Sequence, residues 1–382
     1  MNFSEADVIC FDVDYTLVKY SNTDFIHLQY YSLAKSLIKL GAPSELLTII
    51  SDNEILLFSG TCLVADLKTG CLLKLASDHT VLRAYHGLTP CTDLSILYGT
   101  PPKYELDQIH KYFIPGERWI FLTHFSVGGS VIWLACIELI KRGVFKLNSF
   151  EELGNLLHQA AGLNYSTTSN SDFYLEFYKN PQIYVEKAAE SLKSKLSKIK
   201  KTGKKLAIVT NGPVEYANFI MDYSFGEDWH SIFDAYVYSA GKPEFFYHEN
   251  ELETIEHLQF DGDAYNKGSS KDLRDRIGGH NYVFVGDHYL SDVHGAKQFK
   301  WKTVALVEEI YYEKGTLMKL TTEEIENRDY CQDIEGALQY YSIWGSHFIE
   351  NGVRCYWWDF IINHADAIIP SIDGLFEYFE IE

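Results

Sequence analysis

The sequence is short of basic residues. Across 382 residues it has 33 Lys and Arg against 53 Asp and Glu, a formal net charge of −20. Broad binding to nucleic acids or to anionic membranes needs a basic face, so we expect neither partner. A small anionic substrate is compatible with this charge, because a few local cations and a metal ion can dominate a single site.

Paired cysteine motifs are also missing. The sequence has neither a Cys-x-x-Cys pair nor zinc-finger spacing, and the number of cysteines is odd; they stand at positions 10, 62, 71, 91, 136, 331 and 355. Free thiols in a reducing compartment are the simplest explanation. The acidic segment of residues 1–7 lacks the basic region of a signal peptide. We therefore expect a cytoplasmic protein.

One uncharged stretch, residues 119–137, raises the question of a membrane span. Gly128, Gly129 and several polar side chains interrupt it, and Glu138 and Lys141 follow directly. Because the interruptions divide the stretch into two pieces, we predict a buried helix of a helical domain rather than a membrane-spanning one.

Strands that alternate with helices are predicted at both ends of the sequence. Apolar runs indicate strands at about residues 8–12, 205–209, 236–238, 282–285 and 302–306. This alternation is typical of an α/β fold with a parallel sheet and right-handed crossovers. Residues 86–195 are predicted to be mostly helical. We therefore expect a discontinuous α/β core (residues 1–85 and 196–382) with an inserted helical domain (residues 86–195).

The C-terminal region from Asp333 is rich in aromatic residues, which include Tyr340, Tyr341, Trp344, Tyr356, Trp357, Trp358 and Phe360. We expect this region to pack back over the core. The alternative is an oligomer contact, which would make the protein a homo-oligomer.

Two carboxylates follow the first apolar run. Asp12 and Asp14 come directly after Val8–Phe11, where a strand should end and a loop begin. Residues i and i+2 of a strand point to the same side, so both acids can face one small volume at the carboxyl edge of the sheet. Two acids this close repel each other unless a cation lies between them. We predict that Asp12 is a nucleophile, that Asp14 is a general acid and base, and that Mg²⁺ is bound.

Three further apolar runs end in polar residues that suit the same site. Thr210 precedes a predicted helix and can hold a phosphate group, and Asn211 can add a hydrogen bond. Lys242 can neutralise phosphate charge. Asp287 is the natural partner of Asp12 and Asp14 as a metal ligand, and Asp292 can hold Lys242 or a metal-bound water. Turn formation, helix capping and a solvated lysine are the structural alternatives for these residues.

These motifs resemble those of the haloacid dehalogenase superfamily: Asp12-x-Asp14-x-Thr16, Thr210, Lys242, and Gly286-Asp287-x4-Asp292. The segments 11–17, 84–87, 240–246 and 286–288 are similar to the cytosolic purine 5′-nucleotidase family, and most similar to its 5′-nucleotidase domain-containing members. The resemblance covers about residues 7–310. It implies a Rossmann-like core with an inserted, mainly helical cap, Mg²⁺ as cofactor, and a phospho-aspartate at Asp12.

The implied activity is hydrolysis of a small phosphorylated metabolite, expected to be a nucleoside 5′-monophosphate. The segment after Asn211, Gly212-Pro213-Val214-Glu215, departs from the polar and basic residues of the family. Phe125 is similar to a cap aromatic that stacks on a purine, although a core phenylalanine is an alternative. Other functions stay open: a phosphatase for another phosphometabolite, a phosphomutase, or a regulatory protein with little turnover.

Overall fold

The chain forms two compact units in a computed structural model, which describes residues 3–165, 171–256, 258, 262–314 and 343–379. The core unit comprises Met1–Tyr20, Val185–Arg328 and Ile361–Glu382. The inserted unit comprises Ser21–Tyr184 and Asp329–Phe360. The insertion therefore begins at Ser21, 65 residues before the predicted start of the helical domain at residue 86.

The described residues contain the following strands and helices. The strands are β1 (Val8–Phe11), β2 (Leu63–Asp66), β3 (Leu72–Leu75), β4 (Val81–His86), β5 (Thr89–Pro90), β6 (Phe113–Ile114), β7 (Arg118–Phe121), β8 (Lys205–Val209), β9 (Ala235–Tyr238), β10 (Glu253–Thr254), β11 (Asp263–Asn266), β12 (Tyr282–Gly286), β13 (Lys302–Leu306), β14 (Ile349–Glu350), β15 (Val353–Arg354) and β16 (Ala367–Ile369). The helices are α1 (Asn22–Lys39), α2 (Asp52–Phe58), α3 (Leu94–Tyr98), α4 (Val127–Lys141), α5 (Phe150–Asn164), α6 (Asp172–Lys179), α7 (Pro181–Tyr184), α8 (Glu190–Lys201), α9 (Val214–Phe225), α10 (Glu244–Tyr247), α11 (Ser270–Ile277), α12 (Gly295–Gln298), α13 (Glu309–Lys314) and α14 (Tyr356–His364).

The core unit is built on an eight-stranded sheet with the order β10-β11-β9-β8-β1-β12-β13-β16. All neighbouring strands are parallel except β10 and β11. The central strand β1 is fully buried, as are β9 and β12. Continuous apolar runs are typical of parallel strands that are covered on both faces. The predicted α/β fold with a parallel sheet is therefore confirmed.

The inserted unit combines helices with a six-stranded antiparallel sheet of order β5-β4-β3-β2-β7-β6. Residues 63–121 pair with one another in this sheet, and the helices α1, α4 and α5 share its hydrophobic core. The packing of α1 in this core, together with the strand pairing, explains why the unit starts earlier than predicted. The strands near residue 63 have their partners near residue 121, and no local sequence pattern shows this.

The uncharged stretch of residues 119–137 divides between a strand and a helix. Trp119 lies in β7, and α4 begins at Val127. The window His124–Lys141 is long and apolar enough to cross a membrane by length and composition, but 78% of it is buried, as in the core helix of a globular unit. Gly128 allows α4 to approach α1 closely, because a Cβ there would lie 2.3 Å from the Cβ of Gln29.

The aromatic C-terminal region belongs to the inserted unit up to Phe360, and the chain from Ile361 onward belongs to the core unit. Trp344 is buried in the same hydrophobic core as α1 and α4, and Trp358 is fully buried. Tyr340 and Tyr341 lie outside the described residues. Six cysteines of the described residues carry free thiols, and Cys331 lies outside them. Homo-oligomer formation stays a prediction.

A buried ionic cluster fixes this C-terminal region to the antiparallel sheet. Lys74 on β3 donates to Glu350 Oε2 at 2.8 Å and to the carbonyl oxygen of Trp344 at 2.6 Å. Arg83 on β4 donates to Glu350 Oε1 at 2.5 Å. The side chains of Glu350 and Lys74 are only 9% and 8% exposed, so the buried charge of Lys74 depends on Glu350 for compensation, whereas Arg83 is 35% exposed.

Replacing Glu350 with Gln should destabilise the protein by about 3 kcal/mol, because breaking a buried ion pair leaves an uncompensated charge. Urea unfolding measures this loss. Lys39→Met is the matched control, since Lys39 pairs with Asp172 while 60% exposed, and it should cost less than about 1 kcal/mol. Equal losses for the two variants would contradict the assigned role of Glu350.

Candidate active site

Four neighbouring strands of the core unit deliver polar residues to one edge of the sheet. Their order is β9-β8-β1-β12, and all three pairs are parallel. Phe11, the last residue of β1, lies beside Ile208 of β8 and Val285 of β12. Because parallel strands end at the same edge, the residues that follow them meet there. This topology explains why the predicted motifs, far apart in sequence, come together.

Lys242 lies at the centre of this site. Its Nζ is 3.0 Å from Asp12 Oδ1 and 2.7 Å from Asp292 Oδ1, and its side chain is 1% exposed. Burial opposes the charge on Lys242, but the two carboxylates outweigh burial and raise the pKa of the ammonium. Burial raises the pKa of Asp12 to about 6, although Lys242 acts in the opposite direction. Asp12 is therefore largely ionised at neutral pH.

Asp292 is fixed by an unusual turn after β12. It lies in a π-helical turn, Tyr289–His294, and its Oδ2 accepts a hydrogen bond from the His288 N–H at 3.1 Å. π-Helical turns occur frequently at functional sites. Gly286 is required for this approach, because a Cβ at that position would lie 2.2 Å from Asp292 Oδ2. Only glycine has room for the carboxylate here.

A divalent cation fits the carboxylates of this site. One carboxylate oxygen from each of Asp12, Asp287 and Asp292 lies within 4.8 Å of the others. Burial, together with the charges of Asp12 and Asp292, raises the pKa of Asp287 well above its ordinary range. Such crowding of anions around one lysine is what a bound cation relieves, and oxygen ligands suit Mg²⁺.

The side chain of Asp14 does not belong to this group of three carboxylates, although the sequence predicts Asp14 as a metal ligand. Its Oδ1 accepts hydrogen bonds from the hydroxyl groups of Tyr20 and Tyr216, the latter at 3.1 Å. Burial and the charge of Asp12 raise the pKa of Asp14 to about 7. Asp14 can therefore exist in both protonation states near neutral pH, as a general acid and base requires.

Thr210 and Asn211 occupy the loop between β8 and α9. Thr210 Oγ1 accepts a hydrogen bond from the Gly212 N–H at 3.0 Å, so the hydroxyl shapes this turn while its own hydrogen stays available to a ligand. Asn211 uses both ends of its amide on the Lys242 backbone. Its Nδ2 donates to the Lys242 carbonyl oxygen at 3.0 Å, and its Oδ1 accepts from the Lys242 N–H at 2.7 Å. Asn211 therefore holds the Lys242 loop in place.

Phe125 belongs to an aromatic cluster of the inserted unit. Its ring lies 5.3 Å from that of Phe25 and 5.7 Å from that of Tyr165, measured between centroids. Phe125 itself is half-buried in this cluster. Base stacking by Phe125 stays a prediction.

Sequence reasoning missed Tyr20 and Tyr216. Tyr20 and Tyr216 are 196 residues apart, and no spacing rule connects them with Asp14. His288 Nδ1 accepts a hydrogen bond from the Ser291 N–H at 3.2 Å and caps the π-helical turn. Burial lowers the pKa of His288 to about 3, so its ring is neutral in the folded protein.

Replacing Asn211 with Ala should release the Lys242 loop, because both backbone hydrogen bonds are lost. We expect a loss of about 1–3 kcal/mol in the free energy of unfolding and a fall in kcat with little change in KM. Chemical denaturation and steady-state kinetics measure the two effects. A raised KM with unchanged kcat and stability would instead assign Asn211 to substrate binding.

Comparison with known proteins places the chain in a family. The model of the 5′ nucleotidase family matches residues 1–348. The 5′-nucleotidase domain-containing protein 1 of Homo sapiens is 27% identical, with 98% of this chain and 91% of that protein covered. The 5′-nucleotidase domain-containing protein 2 of Homo sapiens is 26% identical, with coverages of 89% and 67%.

A solved HAD phosphatase from Thermococcus onnurineus aligns with 98% of this chain and 99% of its own, at 16% identity and a TM-score of 0.36, a likeness too low to support an argument. The family match covers the motif-bearing strands and the whole of the described site. The chain belongs to the 5′ nucleotidase family, and its enzyme class is that of a phosphatase.

Proposed function

We propose that the protein is a Mg²⁺-dependent phosphatase of nucleoside 5′-monophosphates that works through a phospho-aspartate at Asp12. The observation that supports this most is the buried contact of Lys242 with Asp12 and Asp292 beside Asp287. Lys242 draws a phosphate group toward the nucleophile, while the carboxylates leave room for one divalent cation. The family match favours a nucleotide as the phosphate donor.

Two displacements complete the reaction. In the first, Asp12 attacks phosphorus, the bond to the ester oxygen breaks, and Asp14 gives its proton to the leaving alcohol. In the second, Asp14 takes a proton from water, which attacks phospho-Asp12 and releases inorganic phosphate. Thr210 and the N-terminus of α9 are suited to hold the phosphate oxygens. Bound Mg²⁺, held by Asp12 and Asp287, would reduce the repulsion between the carboxylate and the phosphate dianion.

Phosphate esters other than nucleotides form a second candidate class of substrate. The loop after Asn211 continues with Gly212-Pro213-Val214, which offers no cationic side chain to a nucleotide. Sugar and cofactor phosphates are therefore the alternative. We also propose a cytoplasmic location, which the free thiols of six cysteines support.

Replacing Asp12 with Asn should abolish phosphate release, because the nucleophile is lost while the shape is kept. A panel of nucleoside 5′-monophosphates, sugar phosphates and p-nitrophenyl phosphate, assayed with Mg²⁺ for released phosphate, tests both substrate and mechanism. Asp373→Asn is the matched control on a partly exposed acid of the same unit and should keep wild-type activity. Wild-type turnover by the Asp12→Asn protein would contradict the mechanism, and an inactive wild-type protein would contradict the function.

Mg²⁺ should raise the melting temperature more at pH 7.5 than at pH 5.5. The pKa of Asp12 rises from 3.8 to about 6 and that of Asp14 to about 7 on folding. Between about pH 4 and pH 7 the folded state holds protons that the unfolded state has lost, so the stability contributed by these two groups is fully present below about pH 4 and is lost as the pH rises through about 7. Over the same range the carboxylates become free to bind metal.

Thermal unfolding with MgCl₂, against KCl of equal ionic strength, measures this effect. Asp287→Asn should lose most of the Mg²⁺-dependent increase, because it removes one of the proposed ligands. A Mg²⁺ effect that is equal at both pH values, or unchanged in Asp287→Asn, would place the metal elsewhere.

A further inference from the structure

Two buried phenols converge on one oxygen of Asp14. The hydroxyl groups of Tyr20 and Tyr216 both reach Asp14 Oδ1, and they lie 2.9 Å from each other. Both tyrosines are 2% exposed. Phenols of ordinary acidity keep their hydrogens at neutral pH, so each has one hydrogen to donate.

The two donors distinguish the oxygens of the carboxyl group. Oδ1 has two lone pairs, which the two phenols can fill. Within the described part of the chain, Oδ2 receives no hydrogen bond from a protein group. A proton exchanged with the substrate would therefore travel through Oδ2, while Oδ1 serves as the anchor of the side chain.

Each phenol is fixed by a different part of the core unit. The Tyr20 ring stacks on that of Tyr15, with centroids 4.7 Å apart, and the Tyr20 backbone forms a bridge with Val185. Tyr216 lies in the first turn of α9, directly after the Thr210 loop. Because these supports are independent of each other, the two phenols restrict the orientation of the Asp14 carboxyl group. Proton transfer is sensitive to such placement at the level of about 1 Å.

We infer that Tyr20 and Tyr216 are positioning residues, which hold Asp14 by Oδ1 so that Oδ2 serves the leaving oxygen. This inference rests on the proposed function. Its consequence is selective: the phenols matter only where the leaving group needs a proton. An alkyl alcohol leaves poorly without one, whereas p-nitrophenol is acidic enough to leave as its anion.

The test compares two esters by their kcat/KM values, which include enzyme phosphorylation but not the later attack by water. Tyr20→Phe and Tyr216→Phe should each lower kcat/KM about 10-fold for a nucleoside 5′-monophosphate, and the double variant about 100-fold, the lower range of a general-acid contribution. For p-nitrophenyl phosphate the same variants should stay within about 3-fold of the wild type.

Tyr282→Phe is the matched control. Its hydroxyl is also buried in the core unit, where it donates to the Gly278 carbonyl oxygen at 2.6 Å. This variant should leave both esters unaffected. Melting temperatures check the fold of each variant, and if Tyr20→Phe does not fold, Tyr216→Phe gives the test alone.

Equal losses on both esters, or no loss on either, would overturn the inference while the phosphatase function stands. A wild-type protein that hydrolyses neither ester would overturn the proposed function and this inference with it. A loss confined to the alkyl ester supports positioning of the acid.

Discussion

The ionic contact between Lys242, Asp12 and Asp292 is the interaction on which the rest of the site depends. The Lys242 Nζ lies 3.0 Å from Asp12 Oδ1 and 2.7 Å from Asp292 Oδ1, so removing the lysine would leave two buried carboxylates without their cation. Neighbouring residues hold Lys242 and Asp292 in position for this contact. Asn211 holds the backbone of Lys242, Gly286 gives Asp292 its room, and His288 caps the turn that presents Asp292. Stability and function are therefore coupled at this edge of the sheet.

The two aspartates of the first loop have different surroundings, which assign them different tasks. Asp12 faces a cation and two other carboxylates, an environment for a nucleophile and a metal ion. Asp14 instead accepts hydrogen bonds from two phenols, and its burial and the charge of Asp12 raise its pKa to about 7, so its carboxyl group can keep a proton. The two side chains are chemically identical, so their different surroundings assign one the role of nucleophile and the other the role of acid. Such a division of roles between two carboxyl groups is typical of acid–base catalysis.

The sequence could predict the parallel sheet and its site because both depend on local patterns. Apolar runs that end in Asp12, Thr210, Lys242 and Asp287 indicate strands, and parallel strands must bring their ends together. The extent of the insertion could not be predicted in this way, since β2 finds its partner β7 more than 50 residues later. The same holds for Tyr20 and Tyr216, whose shared contact with Asp14 exists only in the folded chain.

Identification of the phosphorylated residue tests the account most directly. Asp14→Asn protein, incubated with Mg²⁺ and p-nitrophenyl phosphate, whose leaving group needs no proton, and then quenched in acid, should accumulate covalent phosphate, because the water that attacks phospho-Asp12 lacks its base. Mass spectrometry of the peptides should place that phosphate on Asp12. Turnover by the wild type without any phosphate on Asp12, or phosphate on another side chain, would contradict the central claim.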